Sequence, residues 1–380
     1  MQVDVDYSVS VIHGGITNLL YLIDIKADTT TSATKLILRV YGAKTDEMID
    51  RRAEIALVCS LDGLQFKGVG FHALFENGRI EKHISRRALE PAQMTLPQVV
   101  PQIARSIARL HAIGHHVDST TQALFADRDV WATLDKFLAM ACLVSFPDHA
   151  QKADMLASIQ VEALQEETEW LKNRIQSLAG NHDQNSEDLL SRKETGYKFA
   201  LDKVLVHGDL LSGNILLDNT LELSCTTESA ESTEDGVSLI DFEYSTYSAR
   251  AYDLGNHFCE CCGFDFNLES FPNEIQRETF LALYLKEYFS KVDSVLATRY
   301  KEEITSNAAS PSLKQFHQSV DEVVMHFTML CSLFWSTWSL SLAGSKPDAE
   351  FNYLEYSKIR RDSYYIFKEK VMRNDESSTK

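Results

Sequence analysis

The sequence predicts an α+β chain of two lobes, a small antiparallel β-sheet lobe with one helix followed by a larger, mainly helical lobe. Three observations carry that prediction. Its 380 residues leave room for two domains or one large two-lobed unit. The first eighty or so residues read as short strands broken by turn residues, and from Leu96 the apolar spacing becomes helical. Short apolar runs at 204–207 and 237–240 then interrupt the helical part, and each leads into an aspartate.

The elements follow in order. Residues 7–13 and 18–26 are strand-like on either side of Gly14-Gly15, and residues 35–41 form a third β-rich run ending at Gly42. Residues 46–61 have helical spacing in Met48, Ile49, Ala53, Leu57 and Val58. Residues 69–75 and 78–84 pair around Asn77-Gly78, a strong hairpin signal. This places a lobe boundary at 84/85, with an N-terminal lobe of 1–84 and a C-terminal lobe of 85–380. Helices are expected over 103–111, 127–145 and 151–178. Residues 224–236 are acidic and low in complexity, as a solvated loop is.

Composition excludes several classes. Apolar residues are 44% and charged residues 24%, ordinary for a soluble globular chain. The net charge of −18 repels phosphate backbones and anionic membranes, so neither nucleic-acid binding nor stable membrane insertion is expected, whereas a cationic ligand suits such a surface. Seven unevenly spread cysteines argue against a disulfide framework and for a reducing compartment, and Cys259-x-Cys261-Cys262 lacks the two spaced ligand pairs of structural zinc. The first residues show no basic or apolar leader pattern, and the greasy stretch 323–343 carries His326, Thr328 and four serines, as a buried helix does. A cytoplasmic protein is expected.

Four segments carry chemistry. Gly14, Gly15, Thr17 and Asn18 lie in a turn between strands, where glycines let backbone N–H groups approach phosphate oxygens. Two adjacent glycines in a hairpin are more often a turn than a ligand loop, so this segment is weak alone. Arg39, on the run Leu36-Ile37-Leu38-Arg39-Val40-Tyr41, is a cation able to hold nucleotide phosphates if it points inward, with Glu54 on the next helix holding it in turn. An edge-strand arginine in solvent is the plainer alternative. His207-Gly208-Asp209 followed by Asn214 resembles a kinase catalytic loop, with Asp209 taking the proton of a substrate hydroxyl and Asn214 binding Mg²⁺. Asp241, at the end of an apolar strand, would bridge Mg²⁺ to phosphates, with Glu243 a second oxygen ligand. A small β lobe ahead of a helical one, with these motifs in this order, is the layout of a kinase.

The run from Asp241-Phe242-Glu243-Tyr244 through Asp253, Asn256 and Glu260 resembles the signature of choline/ethanolamine kinases. All seven residues match in register. Ser248 departs from it, standing where the signature has asparagine. The resemblance spans His13 to Tyr356 and implies a protein-kinase-like fold that transfers the γ-phosphoryl of MgATP to the hydroxyl of a small amino alcohol, for phospholipid synthesis. It implies adenine at the lobe junction near Glu81-Lys82-His83-Ile84, bonded through backbone. It also implies an acceptor pocket built from Tyr244, Glu260, Trp335, Trp338, Tyr353 and Tyr356, with Phe264 or Phe266 as a further aromatic. Without the resemblance, aromatic pairs three residues apart read more readily as core. Relatives of this kind are often homodimers. Specificity signals conflict, and the Tyr353/Tyr356 pair tips the expectation to choline, with ethanolamine as a second acceptor or as the principal one. An aminoglycoside- or homoserine-type phosphotransferase and a catalytically weak ATP-binding scaffold are the competing readings.

Overall fold

The computed structural model describes residues 6–12, 18–26, 33–42, 48–180, 188–219, 236–346 and 349–378. Gly14, Gly15 and Thr17 lie outside the described residues, as do 224–235 of the acidic segment. The N-terminal sheet contains β1 (Tyr7–Ile12), β2 (Leu19–Ile25), β3 (Thr34–Val40), β4 (Phe71–Phe75) and β5 (Gly78–Lys82). Its order is β1-β2-β3-β5-β4, antiparallel throughout, with β3 in the middle. Alternation along β2 and β3 sends Leu20, Ile37 and Arg39 to one face, toward the large cavity of the molecule. Arg39 is therefore a central-strand arginine, 4% exposed, and not an edge residue in solvent.

Helix α1 (Arg51–Gly63) starts five residues later than the spacing predicts. Asp50 is its N-cap, and its carboxylate accepts the Ala53 N–H at 2.9 Å, satisfying a donor that the first turn leaves without a partner. That start sets Arg51 and Glu54 on the first turn, where both reach the cavity side.

After Lys82 the chain leaves the sheet. Strand β6 (Arg86–Ala88) pairs with the large lobe's own strands. There β7 (Lys203–Val206), β8 (Ile215–Asp218), β9 (Val237–Leu239) and β10 (Thr246–Ala249) form two small antiparallel sheets, β6-β8-β9 and β10-β7. Around them lie α2 (Val100–Ile113), α3 (Ser119–Ala123), α4 (Val130–Ala141), α5 (Ala150–Ile159), α6 (Val161–Gly180), α7 (Lys193–Leu201), α8 (Ala251–Glu260), α9 (Glu274–Lys291), α10 (Val295–Ser306), α11 (Pro311–Ser345) and α12 (Tyr353–Ser378). The single helix expected over 151–178 is two, because Gln160 adopts φ 58°, a left-handed turn no helix continues through.

Helix α11 is the axis of the large lobe and packs against α12, α8, α7 and α4. Among the described residues it is the helix long and apolar enough to cross a membrane, yet 94% of that stretch is buried inside the fold. This core helix delivers Trp335 and Trp338 to the cavity, while α8 delivers Glu260 and α12 delivers Tyr356.

Candidate active site

A cavity of about 550 Å³ runs between the lobes and gathers most of the expected residues. Asn18, Arg39, Glu81, His83, Asp209, Asn214, Asp241, Glu243, Tyr244, Glu260, Trp335, Trp338 and Tyr356 line it. Tyr353 does not. Its ring packs on Trp338 at 5.9 Å from behind, because α12 begins at Tyr353 and turns only Tyr356 to the opening. Phe264 reaches the wall, 5.7 Å from Tyr356, whereas Phe266 is buried against Phe367 at 5.9 Å.

The loop after β7 is held by α8. Asp253, fully buried, accepts the backbone N–H of His207 at 2.7 Å through Oδ2 and that of Gly208 at 2.9 Å through Oδ1. Asn256 accepts the Leu210 N–H at 2.6 Å. His207 bonds the Ile240 carbonyl at 2.9 Å through Nε2, and its Nδ1 accepts the Asp209 N–H at 3.3 Å. Burial keeps its ring below the usual histidine range, so it is a neutral strut. Gly208 has φ +86°, and a Cβ there would stand 2.3 Å from the Tyr244 carbonyl oxygen; no other residue fits. Signature residues Asp253 and Asn256 thus brace the Asp209 loop.

Asp209 is held by Asn214, whose Nδ2 donates to its Oδ2 at 2.9 Å and to its carbonyl at 3.0 Å, leaving the Asn214 amide oxygen for a cation. Burial first, then the charges of Glu260, Asp241 and Glu243, push the Asp209 carboxyl well above the ordinary range. Asp241 sits at φ +67°, a left-handed conformation that aspartate tolerates better than most residues. Its Oδ2 accepts from Arg39 at 3.2 Å, and its Oδ1 is buried with no hydrogen-bond partner.

An orphaned carboxylate oxygen at this point suits a cation. One carboxylate oxygen each from Glu54, Asp241 and Glu243 lies within 4.8 Å of the others. Hard oxygens so placed fit Mg²⁺, which takes one or two protein carboxylates and keeps water or phosphate oxygens elsewhere. Burial and the neighbouring charge of Asp241 raise Glu243 to about 7.

The small lobe corrects one expectation. Glu54 does not hold Arg39. Arg39 donates to Glu81 at 2.8 Å and to Asp241, while Glu54 takes Arg79 at 2.6 Å and Arg51 at 3.0 Å. Arg79 also bonds Glu81 at 2.6 Å, and Arg51 also bonds Glu243 at 2.9 Å. The result is an alternating chain from Asp241 through Arg39, Glu81, Arg79, Glu54 and Arg51 to Glu243. Two arginines on one sheet face explain the change: Arg79 is cross-strand from Arg39 and meets Glu54 first. Glu81 takes both arginines through Oε1. Asn18 likewise commits its amide, donating to Glu243 at 3.1 Å and accepting from Arg51 at 3.1 Å. Sequence reasoning missed Arg51 and Arg79. The arginines flanking Glu54 and Glu81 were the available signal.

At the other end of the cavity the aromatics meet edge to face. Tyr244 and Trp335 are 5.3 Å apart, Trp335 and Trp338 5.3 Å, and Trp338 and Tyr356 6.4 Å. The Trp338 indole N–H donates to the Tyr244 hydroxyl at 2.6 Å, locking the box. Glu260 adds a carboxylate, and a further missed residue, Arg360, holds it at 2.7 Å. Aromatic faces with one carboxylate suit an organic cation. Cys259, Cys261, Cys262 and Cys331 are buried and unpaired, and burial raises each thiol.

A sheet lobe above a helical lobe, with paired aspartates and an asparagine in the cleft between them, defines a protein-kinase-like phosphotransferase. The sequence profile described as choline/ethanolamine kinase matches residues 9–365, and the chain belongs to the choline/ethanolamine kinase family. It is 30% identical over 365 residues to probable ethanolamine kinase A of Dictyostelium discoideum, covering 95% of this chain and 86% of that one. Over 399 residues it is 26% identical to choline kinase alpha of Mus musculus, covering 96% and 76%. A solved ethanolamine kinase of Plasmodium vivax shares the fold, with a TM-score of 0.68 at 24% identity over 97% of this chain and 85% of that one. This membership sets aside the scaffold and the aminoglycoside- or homoserine-type readings.

Proposed function

We propose that the chain transfers the γ-phosphoryl of MgATP to the hydroxyl of ethanolamine, with choline as a second acceptor. The observation that carries the reading is one cavity with Asp209 between two differently built ends. Arg39, Asp241 and Asn214 lie on one side of it, and an aromatic box with Glu260 on the other. The 1–84 lobe then covers the nucleotide, and the 85–380 lobe supplies the base and the acceptor pocket. Arg39 binds phosphate oxygens, and Asp241, Glu243 and the Asn214 amide oxygen would hold Mg²⁺, which would supply neutralising charge to the transferred group. Asp209 receives the acceptor's hydroxyl proton as its oxygen attacks the γ-phosphorus and the bond to ADP breaks. The unpaired thiols fit a reducing compartment, the cytoplasm.

Ethanolamine comes first for two reasons, and this reverses the order expected from the sequence. The relative at 30% identity is named an ethanolamine kinase, while the choline kinase alpha relative stands at 26%. The box also contains a directed hydrogen-bond acceptor, Glu260, which a primary ammonium uses and a quaternary one cannot. Of the Tyr353/Tyr356 pair that tipped the balance to choline, only Tyr356 is on the cavity wall. The test is MgATP-dependent ADP release with ethanolamine, choline, homoserine or no acceptor. A higher kcat/KM for ethanolamine than for choline is expected. A higher value for choline overturns the order, and no release with either overturns the reaction.

A further inference from the structure

We infer that Arg360 is a positioning residue that sets acceptor selectivity by aiming the Glu260 carboxylate, an inference that rests on the amino-alcohol reading above. Arg360 lies on α12, four residues after Tyr356 and so on the same helix face. Nothing of it reaches solvent. Its Nη2 donates to Glu260 Oε1 at 2.7 Å and its Nε to the Tyr356 hydroxyl at 2.8 Å, and the guanidinium lies 5.0 Å from the Tyr356 ring centre and 4.9 Å from that of Phe266. One arginine therefore fixes both the carboxylate and an aromatic wall of the box.

The consequence lies in what is left of Glu260. Arg360 occupies Oε1, and the Asn256 amide approaches the same oxygen at 3.4 Å. Oε2 is left to face the cavity as an aimed acceptor. An ammonium with N–H groups can donate to it. A trimethylammonium cannot, and it senses only the summed charge of the pair, which Arg360 brings close to zero. Arg360 thus favours the acceptor that donates hydrogen bonds over the acceptor that merely carries charge. A buried arginine beneath a pocket for a cation is otherwise costly, since it repels the ligand and needs full desolvation.

The experiment is steady-state kinetics with ethanolamine, N-methylethanolamine, N,N-dimethylethanolamine and choline, on wild type, Arg360→Met, Arg360→Lys, Glu260→Gln and the Glu260→Gln/Arg360→Met double variant. Arg360→Met should raise the ethanolamine KM about tenfold or more with kcat within about threefold, the loss shrinking with each added methyl group. Arg360→Lys should recover most of it. Because unpaired buried Glu260 could unfold Arg360→Met, the double variant removes that charge; its ethanolamine KM should equal that of Glu260→Gln alone, since Arg360 acts through Glu260. Equal losses for all four acceptors, a loss in kcat alone, or additive effects in the double variant overturn the inference. Wild type inactive on every acceptor overturns the functional reading instead.

Discussion

Arg39 Nη1 donates to Asp241 Oδ2 at 3.2 Å, joining the central strand of the small sheet to a residue two past the end of β9, across 202 positions of sequence. Both side chains are shielded, at 5% and 21% exposure, so their attraction is little screened by water. With Arg51 and Asn18 on Glu243, the pair ties the small lobe to the large one, and it orients the carboxylate whose other oxygen has no hydrogen-bond partner.

Arg39→Met should therefore lower kcat/KM for ATP by about 10² to 10³, the loss typical of one preorganised charged donor at a transferred group. Glu81 retains Arg79 in that variant, so the fold should survive. Arg39→Lys keeps the charge and loses the fork, and should fall between the two. Initial rates against ATP concentration check this; an unchanged KM and kcat for ATP would place Arg39 outside the phosphate site.

Asp253 is predicted to matter for both folding and turnover. Its carboxylate satisfies two buried backbone donors and faces His111 Nε2 at 3.0 Å. Asp253→Ala orphans both N–H groups, each costing about 1–3 kcal/mol, for a loss on the order of 2–6 kcal/mol. Urea denaturation reads this directly. A variant as stable as wild type would show that the loop finds other partners.

How much of this was legible from the sequence differs by residue type. Asp209, Asn214 and Asp241 were readable because a short motif stands between apolar strands, whereas the α8 residues that hold the Asp209 loop lie some 45 positions further on. The Gly208 requirement was not readable, because the atom a side chain would strike there is the Tyr244 carbonyl oxygen. Arg51, Arg79 and Arg360 were not readable, because a buried arginine is defined by which carboxylate it meets, 192 residues away for Arg51 with Glu243 and 100 for Arg360 with Glu260. Composition cannot distinguish them from surface arginines. The Glu54 partner was misjudged for the same reason: cross-strand Arg79 competes with Arg39, and the register of β3 against β5 decides the outcome. Tyr353 and Tyr356 lie three apart, but the start of α12 turns one to the cavity and the other behind Trp338.

Acid should destabilise the fold through His257. This ring is buried, stacked on Phe280 at 4.7 Å, and burial lowers it to about 3 from the ordinary 6.5. Between those values the unfolded chain binds a proton that the native chain refuses, so stability rises with pH across that window and falls as acid is added. The contribution is at most about 1.4 kcal/mol per pH unit. His257→Phe keeps the ring and the stack and removes the titration. Denaturation midpoints from pH 4.5 to 7.5 should slope less in the variant than in wild type; equal slopes would mean the ring protonates in the native state.

Asp209 separates chemistry from architecture. Its carboxyl is buried among Glu260, Asp241 and Glu243, which raises its proton affinity, as a base working near neutral pH needs. The same crowding makes the charged form a burden on the native state. Asp209→Asn removes that burden and retains a hydrogen-bonding group beside Asn214, so stability should hold or rise. Turnover should fall by about 10² to 10⁴, the usual worth of a positioned base. Calorimetric titration with ATP should show binding unchanged, since Arg39 and Asp241 are untouched. This combination, stable, nucleotide-binding and inactive, contrasts with Asp253→Ala, which should lose stability and rate together. Wild-type turnover in Asp209→Asn would remove Asp209 as the base.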